Sequence, residues 1–157
     1  MKGDKGVLEF LNKALRSELT AINQYVLHAH LLEDWGLDRL YQIGFAHAKD
    51  EMHHAETIIK RILFLGGHPE MQQLDDLLIG KDVKGILEND RKAEEYALKL
   101  YREAAAHCEK VQDYATRDLF TGLITDEEKH FDFLDTELGL IDKMGLENYQ
   151  QSQARGE

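Results

Sequence analysis

Apolar residues recur at intervals of three and four along four long stretches of this chain, the spacing expected for one face of an amphipathic α-helix. The same stretches are rich in Leu, Ala, Glu, Lys and Gln, which favour helix. The pattern predicts helices at about 5–35, 38–65, 83–111 and 113–138, and a short fifth helix at about 146–153.

Glycine and proline mark the predicted helix ends. We place the first end at Trp35-Gly36, the second at Gly66-Gly67-His68-Pro69 and the fourth at Gly139. Three aspartates precede the second, third and fourth helices and are candidate N-caps: Asp38, Asp82 and Asp113.

The lengths of the connections predict how the helices are arranged. The first and second helices, and the third and fourth, are joined by only a few residues, so each pair is expected to be antiparallel. The connection at about 66–81 is long enough to run the length of a bundle. The chain is therefore predicted to be an all-α, ferritin-like four-helix bundle with one long crossover, folded as a single domain over residues 1–157.

Three metal-binding residue types recur at one offset. Adding 76 to Glu18, Glu51 and His54 gives Glu94, Glu127 and His130. Each half thus reads Glu, then Glu-x-x-His starting 33 residues later. The preceding aspartate also repeats, as Asp50 and Asp126.

All six repeated residues fall on the apolar stripes of their helices, so we expect them to point into the bundle. Four ionised carboxylates buried together are very unfavourable without compensation. Protonation of some of them is one solution, and two divalent cations, whose charge balances four carboxylates, are the better one. Mixed carboxylate and imidazole ligands favour iron or manganese over zinc, which more often uses cysteine and histidine.

Other polar core candidates have plainer interpretations. Tyr25 and Tyr101 also differ by 76 positions, and we interpret them as core tyrosines whose hydroxyls bond site carboxylates, in preference to a redox role. Cys108 is interpreted as a small core residue. The remaining histidines are interpreted as surface or incidental residues: His28, His30, His47, His53, His68 and His107.

The first two helices carry a second apolar stripe, which indicates a partner surface, most simply a homodimer. It contains Leu19 and Val26, and then Phe45, Met52 and Ile59. From periodicity alone Met52 is most simply a packing residue, although a thioether is also able to ligate haem iron.

The net charge of −11 argues against nucleic acid as a partner. One cysteine forms no disulfide within a chain, which favours a reducing compartment. No apolar run follows Met1 and no 18-residue apolar stretch occurs, so we expect neither a signal peptide nor a membrane span, and a cytoplasmic location.

The chain resembles the bacterioferritins from end to end. The resemblance is carried by Met1-Lys2-Gly3-Asp4, Ala21-Ile22-Asn23-Gln24-Tyr25, Asp34-Trp35-Gly36-Leu37, Asp50-Glu51-Met52-His53-His54-Ala55, Arg61-Ile62-Leu63-Phe64-Leu65 and Gly145-Leu146-Glu147-Asn148-Tyr149, together with the six repeated residues. It implies a ferroxidase that oxidises Fe(II) and stores Fe(III) mineral inside a 24-subunit shell built of dimers. It implies two iron ions per subunit, held by Glu18, Glu51, His54, Glu94, Glu127 and His130.

The resemblance further implies haem b shared between two subunits, with Met52 from each as axial ligand. Electrons for iron release would come from a ferredoxin-type partner. The sequence departs from the family pattern at Ala46, where some members place a histidine next to Asp50 as an inner-surface iron site. It also has Ile58 and Phe133 where members often carry tyrosine and tryptophan.

Three other classes share parts of this pattern. Rubrerythrin-type peroxidases usually add a cysteine-rich domain, which one cysteine does not supply. DNA-protecting mini-ferritins place their ligands across a dimer interface, whereas this chain supplies six. A structural or electron-carrying haem bundle, with its carboxylates paired to one another, predicts no stoichiometric metal uptake.

Overall fold

The computed structural model describes residues 1–154, which form five α-helices. They are α1 (Lys5–Asp34), α2 (Asp38–Phe64), α3 (Val83–Lys110), α4 (Tyr114–Met144) and α5 (Leu146–Gln153). Helices α1 and α2 pack as one hairpin, α3 and α4 as another, and α1 contacts α3. The predicted all-α bundle with a long crossover is confirmed.

Aspartate side chains cap three of the four long helices. Asp82 accepts a hydrogen bond from Gly85 N at 2.7 Å, and Asp113 accepts one from Thr116 N at 3.0 Å, as predicted. Asp4 does the same for α1. The cap predicted at Asp38 is wrong, because helix α2 already includes this residue in its first turn and Leu37 occupies the cap position.

Helix α4 does not end at Gly139, as the sequence predicted, but continues to Met144. Gly139 lies inside the helix, and the buried Leu138 and Ile141 carry the apolar stripe past it. The helix stops instead at Gly145, whose φ of 83° is a conformation that favours glycine.

Two large apolar clusters fill the ends of the bundle, and a polar layer lies between them with a small third cluster of Ala21, Tyr25 and Ala48. One cluster fills the end of the bundle that holds Leu11, Ile62 and Phe120, and the other fills the end that holds Leu40, Ile86 and Leu134. The repeated Glu and His residues lie between the two clusters along the chain of each helix. The fold therefore buries these residues between two packed ends.

The crossover, residues 66–81, which we call the strap, contains no helix or strand. Its backbone is instead bonded by side chains of α1 that recur every four residues. Asn12 accepts a hydrogen bond from Glu70 N at 2.9 Å, and Thr20 accepts one from Asp75 N at 2.9 Å. Gln24 accepts one from Leu78 N at 3.0 Å, and His28 accepts one from Gly80 N at 2.9 Å. Arg16, on the same row, pairs with the side chain of Asp75. Residues four apart form a ridge on a helix, so these side chains make one polar row along α1. The strap follows this row in the same direction as the helix, because later strap residues bond later residues of α1.

Candidate metal centre

All six repeated residues meet in the polar layer at the centre of the bundle. They come from the four long helices, and none is more than 5% exposed: Glu18, Glu51, His54, Glu94, Glu127 and His130. Their ligand atoms form two overlapping groups, each compact enough to hold one metal ion.

The two groups share Glu51 and Glu127. Glu18 and His54 belong to the first group only, and Glu94 and His130 to the second. His54 Nδ1 lies 3.0 Å from a Glu127 oxygen, and His130 Nδ1 lies 3.2 Å from a Glu51 oxygen. The arrangement therefore offers two metal positions with two shared carboxylates, and the 76-residue repeat becomes an approximate two-fold axis through the site.

Most of the unpaired buried polar atoms in residues 1–154 point into this site. Eight buried side-chain nitrogen and oxygen atoms lack a hydrogen bond of good geometry, and seven of them belong to the six repeated residues. The eighth is Nε of Arg16, which lies 2.8 Å from a carboxylate oxygen of Asp75. Buried polar atoms are normally satisfied, so seven orphans facing one centre fit ligands for metal ions.

Burial and mutual repulsion raise the proton affinity of the metal-free site. Burial raises the pKa of Glu94 to about 8, with the neighbouring Glu127 adding to the effect, and raises the pKa of Glu51. Burial alone would lower the histidine pKa values. The carboxylates of Glu127 and Glu18 nevertheless raise the pKa of His54 to about 11, and Glu94 raises that of His130 to about 9. Protons thus offset part of the negative charge of the carboxylates, and a bound metal ion would displace these protons.

Tyr25 and Tyr101 bond the two unshared carboxylates in a reciprocal manner. Tyr25 on α1 donates to Glu94 on α3, and Tyr101 on α3 donates to Glu18 on α1, each at 2.5 Å. Both hydroxyls are buried beside carboxylates, which raises their pKa values well above the ordinary range. The predicted role of these tyrosines as core residues that satisfy site carboxylates is confirmed.

The far nitrogen of each site histidine bonds the repeated aspartate of the opposite half. His54 Nε2 lies 2.9 Å from Asp126 Oδ2, and His130 Nε2 lies 2.9 Å from Asp50 Oδ2. Such a carboxylate fixes the ring and leaves Nδ1 free to bind a metal. The sequence showed that these aspartates repeat, but not that each one reaches across to the other helix pair.

Two cavities approach the centre from different sides. The outer cavity, about 340 Å³, lies beneath the strap and includes Glu51, Glu94 and Glu127 in its lining. The inner cavity, about 360 Å³, lies on the α2–α4 side and is lined by His47, Asp50, His53, His54, Asp126, Lys129 and His130. Residues of the site therefore form part of the lining of both cavities.

Two histidines interpreted as surface or incidental residues are neither. His28 is 1% exposed and bonds both Asp90 and the strap. His47 stacks on His130 with ring centroids 4.1 Å apart, and burial, followed by the charge of His130, lowers its pKa to about 4. The polar row that contains His28 is visible in the sequence, because a polar side chain occurs at every fourth position from Asn12 to His28.

Cys108 is fully buried, as predicted.

The second apolar stripe lies on the outside of the α1–α2 hairpin. Met52 is 48% exposed although its neighbour Glu51 is buried. Leu19, Val26 and Ile59 on the same stripe are only partly buried. This face is thus open in a single chain.

These features define a ferritin-like bundle with a carboxylate-rich site suited to two metal ions. The ferritin-like domain family matches residues 8–144. The chain is 52% identical to a bacterioferritin of Rhodobacter capsulatus, over 95% of this chain and 92% of that protein. It is 47% identical to a bacterioferritin of Brucella melitensis over 98% and 96%, and 44% identical to a bacterial ferritin of Synechocystis over 98% and 99%. The chain belongs to the bacterioferritin family.

Membership of this family supports a role in iron storage. Within residues 1–154, no helix combines the length and the apolar character needed to cross a lipid bilayer.

Proposed function

We propose that this chain is a ferroxidase and the subunit of an iron-storage shell. The observation that carries the proposal is the convergence of seven unpaired buried atoms from Glu18, Glu51, His54, Glu94, Glu127 and His130. Two Fe(II) ions are the substrate of this site. Glu51 and Glu127 belong to both ligand groups and would be shared by the two ions, while Glu18 with His54 would hold one ion and Glu94 with His130 the other.

Oxidation at this site removes one electron from each Fe(II). The two electrons reduce dioxygen, with two protons, to hydrogen peroxide, or reduce hydrogen peroxide, with two protons, to two water molecules. The protein holds both iron ions next to each other through this change, because carboxylates bind Fe(II) and Fe(III) alike. Tyr25 and Tyr101 hold the unshared carboxylates, and Asp50 and Asp126 hold the histidine rings.

The ferroxidase proposal is tested by anaerobic Fe(II) titration followed by air. We expect two Fe(II) per chain and rapid oxidation in the native protein. Glu127→Ala and Glu18→Ala are expected to abolish rapid oxidation, since each removes a ligand, while circular dichroism shows a folded bundle. Glu128→Ala is the matched control, because Glu128 is exposed and adjacent to Glu127. Unchanged fast oxidation in both site variants contradicts the assignment.

The storage part of the proposal concerns assembly. We propose a cytoplasmic 24-subunit shell built of dimers, with the open face of α1 and α2 as the dimer contact. Haem b shared by two subunits would be held by Met52 of each, since a thioether is able to ligate haem iron and Met52 is exposed on this apolar face. A ferredoxin-type protein would then supply electrons for iron release.

The haem proposal predicts a Soret band that Met52→Leu removes, because leucine fills the same space without a sulfur ligand. The shell size, measured by analytical ultracentrifugation, is expected to stay the same. Leu63→Met is a control that adds a thioether at another exposed position. A Soret band of equal intensity in the Met52→Leu variant contradicts this role.

A further inference from the structure

The outer cavity is bounded on one side by the strap. Its strap residues are Asp75, Asp76 and Leu78, and its opposite walls come from α1 and α3. Three carboxylates of the metal centre, Glu51, Glu94 and Glu127, are also in its lining. The position of the strap therefore determines how wide the passage is between the outer surface and the site.

The strap next to this cavity has no secondary structure to fix it. Its backbone N–H groups at Asp75, Leu78 and Gly80 donate to side chains of α1. Gly80, the last of these donors, is closely packed, since a side chain at this position would collide with the backbone of Gly85 and Ile86. The wall of the cavity is thus held by hydrogen bonds to individual side chains and, at Asp75, also by the ion pair with Arg16.

Gln24 and His28 are themselves held by one carboxylate of α3. Gln24 Nε2 donates to Asp90 Oδ1 at 2.9 Å, and His28 Nδ1 lies 2.7 Å from the same oxygen. Because His28 Nε2 accepts the Gly80 N–H, that nitrogen carries no proton, and Nδ1 must carry the proton donated to Asp90. Both side chains are at most 2% exposed, so their orientation is fixed on both sides.

We propose that Gln24, His28 and Asp90 form a latch that holds the strap against α1 and limits the rate at which metal ions pass through the outer cavity to the centre. These residues are positioning residues, since none of them is among the six ligands. The inference rests on the proposed function, because it takes the centre as the destination of the metal.

The test measures the rate of Co(II) entry by stopped-flow absorption of the bound ion, with equilibrium titration of the same samples. His28→Ala removes the hydrogen bonds to Gly80 N and to Asp90. We expect Co(II) to enter about 5- to 10-fold faster, the rate change that corresponds to the loss of about one net hydrogen bond. The stoichiometry of two Co(II) per chain should not change. His28→Gln is expected to retain the native rate. A glutamine on this row is able to accept from the strap and donate to Asp90 at once, as Gln24 does.

Asn12→Ala is the matched control. Asn12 accepts the same kind of strap hydrogen bond, from Glu70 N, but Glu70 lies five residues from the nearest strap residue of the cavity lining, Asp75. Gly80, which His28 holds, lies only two residues from Leu78 in that lining. Equal rates in His28→Ala and the native protein overturn the inference, and so does an equal acceleration in Asn12→Ala. If the native protein fails to bind two Co(II) per chain, the proposed metal centre fails instead.

A second variant keeps the test decisive if His28→Ala does not fold. Thr20→Cys with Asp75→Cys replaces the hydrogen bond between these residues by a reversible cross-link that ties the strap to α1. Cys108 is fully buried and burial raises its pKa to about 11, so it does not compete. We expect slower Co(II) entry in the oxidised than in the reduced form, and equal rates overturn the inference.

Discussion

At the scale of single residues, the aspartates behind the site histidines are the least obvious part of the centre. Asp50 and Asp126 are about half exposed, yet each bonds a histidine that is almost fully buried. A carboxylate on one imidazole nitrogen fixes the proton there and increases the basicity of the other nitrogen. Their contribution to metal binding thus passes through the rings of His130 and His54.

Removing one of these aspartates should weaken metal binding without removing a ligand. We expect Asp126→Ala to lower Co(II) affinity about 10- to 100-fold, the range found when such outer partners are removed. Isothermal titration of metal-free protein measures the change. Asp132→Ala is a suitable control, because Asp132 is an exposed carboxylate on the same helix. Equal affinity in the Asp126 and Asp132 variants would show that His54 keeps its orientation without this partner.

At the scale of helices, the short helix α5 is attached to the bundle by a buried carboxylate and by the packing of Tyr149 in an apolar cluster. Glu137 on α4 is 2% exposed and accepts from Arg39 Nη1 at 2.6 Å and from the Tyr149 hydroxyl at 3.0 Å. Arg39 also donates to Gln153 at 2.6 Å. A guanidinium from α2 therefore connects α4 and α5.

Loss of this guanidinium should weaken the attachment of α5 and destabilise the bundle. We expect Arg39→Ala to lower the free energy of unfolding by about 1–3 kcal/mol, because Glu137 is left buried without its cation. The melting temperature should fall by about 2–4 °C for each kcal/mol in a chain of this size. Arg117→Ala is the control, since its partners Glu109 and Asp118 are exposed and such pairs contribute little. An equal change in both variants argues against a special role for the buried carboxylate.

Much of this level of structure could be predicted from the sequence. Apolar periodicity located four helices, and the 76-residue repeat identified the residues that meet at the centre, because both are regular along the chain. Gly139 was misleading because a glycine ends a helix only where a left-handed residue is required. The polar row from Asn12 to His28 is equally regular, but its partner is an irregular strap, and a polar row on a helix usually faces solvent.

At the scale of the whole molecule, the metal-free site makes stability depend on pH. The ordinary pKa is 4.5 for Glu94 and 6.5 for His54 and His130, and the folded values are about 8, about 11 and about 9. All three pKa values are raised on folding. The folded chain therefore binds more protons than the unfolded chain at any pH between the ordinary and the folded pKa of each group. The free energy of unfolding must therefore fall as the pH rises through this window.

Thermal unfolding of metal-free protein measures this effect. We expect the melting temperature to decrease between about pH 6 and pH 9, because protons that hold the carboxylates together are lost. Glu94→Gln should flatten the curve, since its amide does not titrate, and Co(II) should reverse the slope, since metal replaces the protons. A melting temperature that rises over this interval in the metal-free protein contradicts the assigned protonation.

The strap also determines where the chain tolerates change. Its hydrogen bonds use backbone N–H groups, which nearly every amino acid provides, whereas α1 contributes specific side chains. Substitutions at Leu78 should thus preserve the path of the strap for almost any residue except proline, which has no N–H to donate. The side chains of α1 therefore determine the path of this loop, and a saturation library should find Gln24 far less replaceable than Leu78, the loop residue that it holds. Gly80 is the exception among the loop donors, because a side chain there would collide with the backbone of Gly85 and Ile86.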